Sequence, residues 1–400
     1  EQGHVVENIR TYGRTLDDGA TLPAPPARVH VPQSKESSVV DVGLDMRHAW
    51  AEELVVAPSG GVDEFERKLA RNDYPVSAMW EMGMKRMRVP IQDLLDTKTR
   101  RRMAIMQGAG HLFQVHSYGI PGAEARKLLV ENVDLVYRLE IVINWEKADE
   151  RIGEIAALKA ETGFPAYLSR VNRKHTAKHT GGRYNHLISH GFVLDEADEL
   201  AAFFDANEHA AAIDGVMFSV MRDVEPATAA MEAQAFAERL GRTACLYVKS
   251  STGSPWEAFM IELANTNRFA ETVVCGLGVA GVETYLDTFD DIERSYFARV
   301  GLVDRRFNPK MGSRVVGNLF GLLGGGDWTL QGDAVEAGGA RVLTIQGDGE
   351  TQLLVLPPEN GEALEAVLSG QSCSQAVNLD SGEISAPPAL ITTPTVLWVG

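Results

Sequence analysis

The sequence predicts an α/β protein: a (β/α)8 barrel followed by a small antiparallel β-sandwich. Three observations carry this. Short apolar or β-branched runs alternate with longer amphipathic stretches, eight of each, from residue 38 to about residue 323. A stretch of roughly 290 residues is barrel-sized, and no glycine-rich phosphate loop follows the first strand, as an open doubly wound sheet would require. At 324–326 the triplet GGG ends the last helical stretch, and short strands separated by Gly, Asp, Pro and Ser take over.

Residues 1–36 carry PAPPARVHVP and little periodicity, and read as an extended lead-in that contributes strands to the sandwich. The barrel occupies 37–323. Its strands are predicted at 38–46, 85–91, 111–118, 137–145, 165–172, 215–222, 243–250 and 282–289. Helices are predicted at 62–82, 95–108, 122–133, 146–162, 195–212, 225–241, 255–280 and 309–323. In the helices, as in ERIGEIAALKAE, apolar residues recur at three- and four-residue steps. Asp96 stands where a helix N-cap belongs, as does Ser254 before Pro255. The runs DWTLQ, RVLTIQG, TQLLVLPP, QAVNLDSG and PTVLWVG form the sandwich, 327–400.

Four hundred residues with a formal net charge of −17 and no run of eighteen apolar residues describe a globular chain that repels polyanions. Nucleic acid and membrane are not expected partners. Cys245, Cys275 and Cys373 match no disulfide framework and no zinc spacing, and the first two read as core thiols. The first residue is Glu, so a processed form or part of a longer chain is expected; cytoplasm and periplasm both stay open.

Against this acidic background, RVNRKHTAKHTGGRYNHLISHG (170–191) holds five Lys and Arg residues, four of the ten histidines and no acid. Strand counting places it after strand five, over the face where barrel enzymes keep their chemistry. Arg170, Arg173, Lys174, Lys178 and Arg183 suit a carboxylate, sulfate or phosphate. The alternative is a solvated basic loop. His175 with His179, and His186 with His190, have the four-residue spacing of metal ligands, but TGG and LIS do not read as helix, and no HExxH is present.

The carboxylates form a second constellation. YLDTFDDIERSYF places Asp287, Asp290 and Asp291 at the end of strand eight, and YRLEIVINWEK places Glu140 in strand four with Glu146 just past it. Two carboxyl groups across a barrel mouth are what hydrolysis of a glycosidic bond needs, one as acid and one as nucleophile or base. Glu146 and Asp291 read equally well as acids facing a helix dipole. Asp287 shares one strand face with Tyr285 and Phe289, an inward polar position. Other strand-end candidates are Asp45, Arg47, His48, Gln92, Asp93, His116, Tyr118, Asn144, Arg222, Asp223 and Lys249. Trp145, Tyr184, Phe289, Tyr296 and Trp256 are aromatic residues placed near the mouth.

GLVDRRFNPKMGSRVVGNLFGLL (301–323) resembles the end of barrels in the clan A glycoside hydrolases, and NLDSGEIS with ITTPTVLWVG resembles their accessory β-domain. The resemblance covers about residues 280–400 in motif and the rest in architecture. It implies a carbohydrate substrate and no cofactor. The clan's Asn-Glu pair after strand four is here Asn144-Trp145-Glu146, with a Trp inserted. Strand seven ends Tyr247-Val248-Lys249-Ser250, where the clan has a second Glu. GHVVEN (3–8) is similar to the GHxH motif of calcineurin-like phosphoesterases, with Val at the second His.

Three functions are therefore expected in order. The first is a hydrolase acting on a sugar with an anionic group. Glu146, Glu140, Asp287 and Asp290 are its catalytic candidates. Arg170, Arg173, Lys249, His116, His186, His190, Tyr118, Asn144, Trp145 and Arg222 are its binding candidates. The second is a non-catalytic glycan-binding barrel, and the third a metal-dependent phosphoesterase or lyase using the histidines.

Overall fold

The structure, a computed structural model, describes residues 26–31, 41–46, 49–51, 53–55, 69–172, 189–250, 262–291, 300–347 and 349–400. Eight parallel strands close into a barrel: β1 (Val42–Asp45), β2 (Arg86–Pro90), β3 (Leu112–Tyr118), β4 (Val136–Ile143), β5 (Ala166–Asn172), β6 (Ile213–Val220), β7 (Thr243–Val248) and β8 (Val282–Leu286). Each pairs with its neighbours in chain order, and β8 returns to pair with β1. The predicted strands coincide with these eight.

The longer helices among the described residues are α1 (Tyr74–Glu81), α2 (Thr97–Gly108), α3 (Ala123–Glu131), α4 (Ala148–Thr162), α5 (Ala197–Ala206), α6 (Pro226–Leu240), α7 (Glu262–Gly278) and α8 (Met311–Leu323). Where they depart from the predicted spans, local chemistry explains it. α1 starts late because Pro75 suits a first turn and Asn72 Oδ1 accepts the Tyr74 N–H at 3.3 Å. Just upstream, Leu69–Arg71 pairs with Glu53–Val55 as a short ribbon. Asp96 caps α2 by accepting the Thr99 N–H at 2.7 Å. α4 stops at Gly163, whose φ of 75° ends the helix without strain.

The residue alternation of the strands divides the barrel in two. Leu44, Met87, Val89, Phe113, Val115, Leu139, Ile141, Leu246 and Leu286 are buried in the continuous apolar core with helix residues such as Leu129, Ile152, Ala233 and Val273. The other parity faces the barrel axis and is largely polar: Asp45, Arg86, Arg88, Gln114, His116, Arg138, Glu140, Tyr247, Glu283, Tyr285 and Asp287 are all buried there, beside a small cluster with Tyr167, Met217 and Cys245. Barrel interiors are ordinarily filled by branched aliphatic side chains. Here two of the inward tyrosines are seated over glycines. A Cβ on Gly43 would lie 2.3 Å from the Tyr285 ring, and one on Gly215 would lie 2.2 Å from Tyr167.

After α8 the chain forms β9 (Trp328–Leu330), β10 (Val335–Ala337), β11 (Ala340–Gly347), β12 (Glu350–Leu356), β13 (Cys373–Asn378), β14 (Ile384–Ser385) and β15 (Thr395–Val399). They make one antiparallel sheet in the order β9-β11-β12-β15-β13-β14, with β10 also on β11, and a two-stranded ribbon accompanies it. The sheet docks on α7 and α8. Arg341 meets Glu271 at 2.8 Å, Asn267 donates to the Pro357 carbonyl at 2.9 Å, and Asn318 donates to that of Leu379 at 2.8 Å. Residues 26–31 run along this domain, with Val29 donating to Gly382 and Ala27 accepting from Ile384. Among the described residues no helix is long and apolar enough to cross a membrane.

Candidate active site

The C-terminal end of the strands holds a connected set of polar side chains, and Arg88 is its centre. The guanidinium has no exposure. Its Nε and Nη2 donate to the two oxygens of Glu140 at 2.6 and 2.8 Å, and Nη1 donates to Asp45 Oδ1 at 2.7 Å. Nη2 also lies 3.0 Å from His190 Nδ1; because Arg only donates, that nitrogen accepts. Gln114 gives Glu140 Oε2 a further hydrogen bond at 2.8 Å. Burial alone would raise the Glu140 carboxyl, but the Arg88 charge and these hydrogen bonds hold it below the usual carboxylate range.

Tyr247, near the end of β7, joins the other carboxylates. Its hydroxyl lies 3.0 Å from Asp45 Oδ2 and 2.5 Å from Asp287 Oδ1, while the Ser250 N–H reaches Asp287 Oδ2 at 3.2 Å. The Tyr247 ring is surrounded by cations, with Lys249 Nζ 4.9 Å and Arg88 Cζ 5.4 Å from its centroid. On it stacks His190 at 5.5 Å and 3°, and on His190 stacks His116 at 5.7 Å. Tyr118 stands edge-on to both imidazoles and is 50% exposed, so it forms the open lip of this stack.

His190 reaches the mouth because the end of the basic loop folds back. Ser189–His190 pairs antiparallel with the end of β5, Gly191 donates to the Arg170 carbonyl, and Phe192 exchanges hydrogen bonds with Met217 and Ser219 on β6. Gly191 has φ 106° and sits where a Cβ would lie 2.9 Å from the Ser219 nitrogen, so only glycine turns the chain there. Burial pushes the His116 imidazole down to about 4, and Arg88 adds to this against Glu140 and Asp45. His116 hydrogen-bonds the Val89 backbone, and its buried Nδ1 finds no partner among the described residues.

The structure therefore brings together Glu140, Asp287, His116, His190, Tyr118 and Lys249 from the predicted set. Asn144 and Glu146 are exposed on a short turn after β4, and Trp145 packs away from the axis against Phe192 at 4.9 Å and Phe203 at 4.8 Å. Arg170 pairs with Glu196 at 2.5 Å. Arg222 is half-buried, and desolvation lowers its guanidinium. Asp290 bridges to Val303, while Asp291 accepts from Gly301 N and pairs with Lys310 at 3.2 Å, so both organise the loop before α8. Arg47, His48, Arg173, Lys174, His175, Lys178, His179, Arg183, Tyr184, His186, Trp256 and Tyr296 lie outside the described residues. Among the described residues no group of three or more His, Cys, Asp or Glu could hold a metal ion.

No known family matches this chain, and no curated protein does. Among solved structures it is similar to the alpha-fucosidase of Thermotoga maritima in complex with a mechanism-based inhibitor. That likeness has 12% identity and a TM-score of 0.35, over 82% of this chain and 79% of the other. A second structure of that alpha-fucosidase matches at 10% identity and a TM-score of 0.32, over 75% and 78% of the two chains.

Several members of the site were not singled out from the sequence. Arg88, Gln114 and Tyr247 belong to the inward parity of β2, β3 and β7, and period-two alternation of polar with apolar residues in RMRVP and LFQVHSY is the signal that marks the first two. Arg268 gave no such signal. From α7 it donates to the carbonyls of Lys249, Val224 and Met221 at 2.8, 2.9 and 2.8 Å, and so pins the ends of β6 and β7.

Proposed function

We propose that this barrel is a carbohydrate-active hydrolase working by carboxylate acid–base chemistry at its C-terminal mouth, with Asp287 and Asp45 as the pair. One observation carries the reading: both carboxyls converge on the single Tyr247 hydroxyl, at 2.5 and 3.0 Å. Their facing oxygens are then no further apart than those two contacts laid end to end. Retaining glycosidases hold their carboxyl groups about 5–5.5 Å apart. Tyr118 and the two stacked imidazoles offer a sugar an aromatic lip and hydrogen-bonding nitrogens. Lys249, with Arg222 further out, suits an anionic substituent, whereas the Arg170 charge is taken up by Glu196. Glu140, held by Arg88, serves in this reading to fix the guanidinium. Glu146 and Asp290, on loops beyond the strand ends, would meet only a substrate that extends over the rim.

The test is hydrolysis of a panel of neutral, uronic and sulfated glycosides. D287N and D45N should each lose about 10²–10⁴-fold in turnover, the range for removing a positioned acid or base. An undiminished rate in D287N sinks the assignment. A second reading, a glycan-binding barrel without turnover, is favoured by the complete burial of Asp287 beneath the mouth. Micromolar binding by calorimetry with no product formed selects it.

A further inference from the structure

A cleft of about 360 Å³ opens at the pole of the barrel opposite the mouth, where the starts of β7 and β8 face β9 of the antiparallel sheet. Small-molecule sites begin at about this size. Its charged lining has one sign. Among the described residues Asp41 and Glu283 contribute two carboxyls, and no Lys, Arg or His lines the cleft.

The two carboxyls are not equivalent. Glu283 is engaged from inside the barrel, where Arg86 Nη1 meets it at 2.7 Å and Arg138 also pairs with it. The half-buried Asp41 carboxyl has neither a hydrogen bond nor an ion pair among the described residues. Burial, with Glu283 adding, raises it against the pull of Arg86 and Arg138. An anion held this way gains from a cation brought beside it.

The backbone adds charge of the same sign. The seventeen-residue helix α7 ends in the cleft, and Gly276, Leu277 and Gly278 of its last turn line it. The last carbonyls of a helix have no partner within it and carry the negative end of its dipole. Glycine keeps this wall bare. A Cβ on Gly278 would lie 2.8 Å from the Leu330 nitrogen, and one on Gly276 would lie 2.8 Å from the Asp41 carbonyl oxygen. The rest of the lining includes Leu277, Leu330 and Trp328, whose indole rests on Gly347, where a Cβ would lie 2.6 Å from Cε3. Hydrocarbon and an aromatic ring beside oxygen acceptors suit an ammonium carried on an apolar stem.

We propose that this cleft binds a small aliphatic amine, with its ammonium held by the Asp41 carboxyl and the carbonyl end of α7 and its stem on Leu277, Leu330 and Trp328. An anion would meet two carboxyls and the wrong end of a helix dipole. A neutral alcohol or sugar would forgo the charge. The site is separate from the mouth, and its test needs no turnover.

Butylamine is titrated into protein whose tryptophans are labelled at the indole nitrogen, and the resonance that W328F removes is followed by NMR. That resonance should move saturably with butylamine. Butanol, of the same stem without the charge, and butyrate should leave it in place. D41N keeps the shape and removes the charge, and should weaken butylamine binding about tenfold or more, as loss of one partly screened charge at contact implies. In the parent, binding should tighten as pH rises through the Asp41 titration, a check that needs no variant, because an alkylamine stays charged there. The proposal is overturned if butanol moves the resonance as far as butylamine does, or if folded D41N binds butylamine as the parent does. It is equally overturned if butylamine leaves the resonance unmoved once Asp41 is ionised.

Discussion

Removing the Arg88 guanidinium would leave Glu140 and Asp45 without their buried cation, with Gln114 and Tyr247 as the remaining side-chain donors among the described residues. Breaking one side of a buried ion pair costs about 3–5 kcal/mol, more than the intact pair contributes, because the stranded charge keeps its desolvation penalty. Arg88→Met should therefore lower stability by about that amount in urea titration, and Arg88→Met with Glu140→Gln should recover part of it. The same pairing explains why Glu140, legible in YRLEIVINW as an acid in a strand, was only half understood from sequence. Its residue type was visible, but its partner is 52 positions away. Asp287 was legible for a sounder reason: its parity with Tyr285 along β8 fixed its inward direction before any contact was known.

At the scale of elements, the strands place the site and the glycines make room for it. Gly43 on β1 and Gly215 on β6 lie under the Tyr285 and Tyr167 rings, which fill the barrel below the mouth. Gly43→Ala forces the Tyr285 ring and its hydrogen bond to Gln114, at 2.6 Å, to move. Overpacking of this kind costs about 1–3 kcal/mol. A thermal melt should show the loss, and, with the Gln114 contact to Glu140 disturbed, turnover should fall as well. The basic segment after β5 is the element whose position was read from strand counting alone. Its returning end, Ser189–His190, does reach the mouth, paired antiparallel with Val171 and Asn172 at the end of β5.

For the molecule as a whole, two buried histidines make stability sensitive to acid. Burial pushes both His111 and His116 down to about 4. Between that value and the ordinary 6.5, the unfolded chain takes up protons that the folded chain refuses, so stability is full above pH 6.5 and falls as pH drops towards 4. Each histidine can contribute up to about 3 kcal/mol. Asp93 works the other way: burial, with Asp96 adding, pushes its carboxyl up to about 6 against the Trp50 hydrogen bond. Its contribution therefore grows as pH falls through 6. Asp41 and Glu271, also raised by burial, act with Asp93, while Glu140 and Glu283, held low beside their arginines, act with the histidines. Melts between pH 7 and pH 4 should show a loss that His111→Gln reduces. A stability that rises on acidification would contradict this assignment.

The eight-fold alternation, the change to antiparallel strands after GGG and the inward direction of Asp287 on β8 are written in the sequence. These follow from periodicity and turn residues, which act over a few positions of the chain. That Arg88 joins Asp45, Glu140 and His190, that Tyr247 spans Asp45 and Asp287, and that Arg268 pins two strand ends could be seen only in the folded chain. Those contacts run between strands and helices far apart in sequence, and they exist because barrel closure brings all eight inward faces to one axis. Parity says which way a side chain points; closure says what it meets.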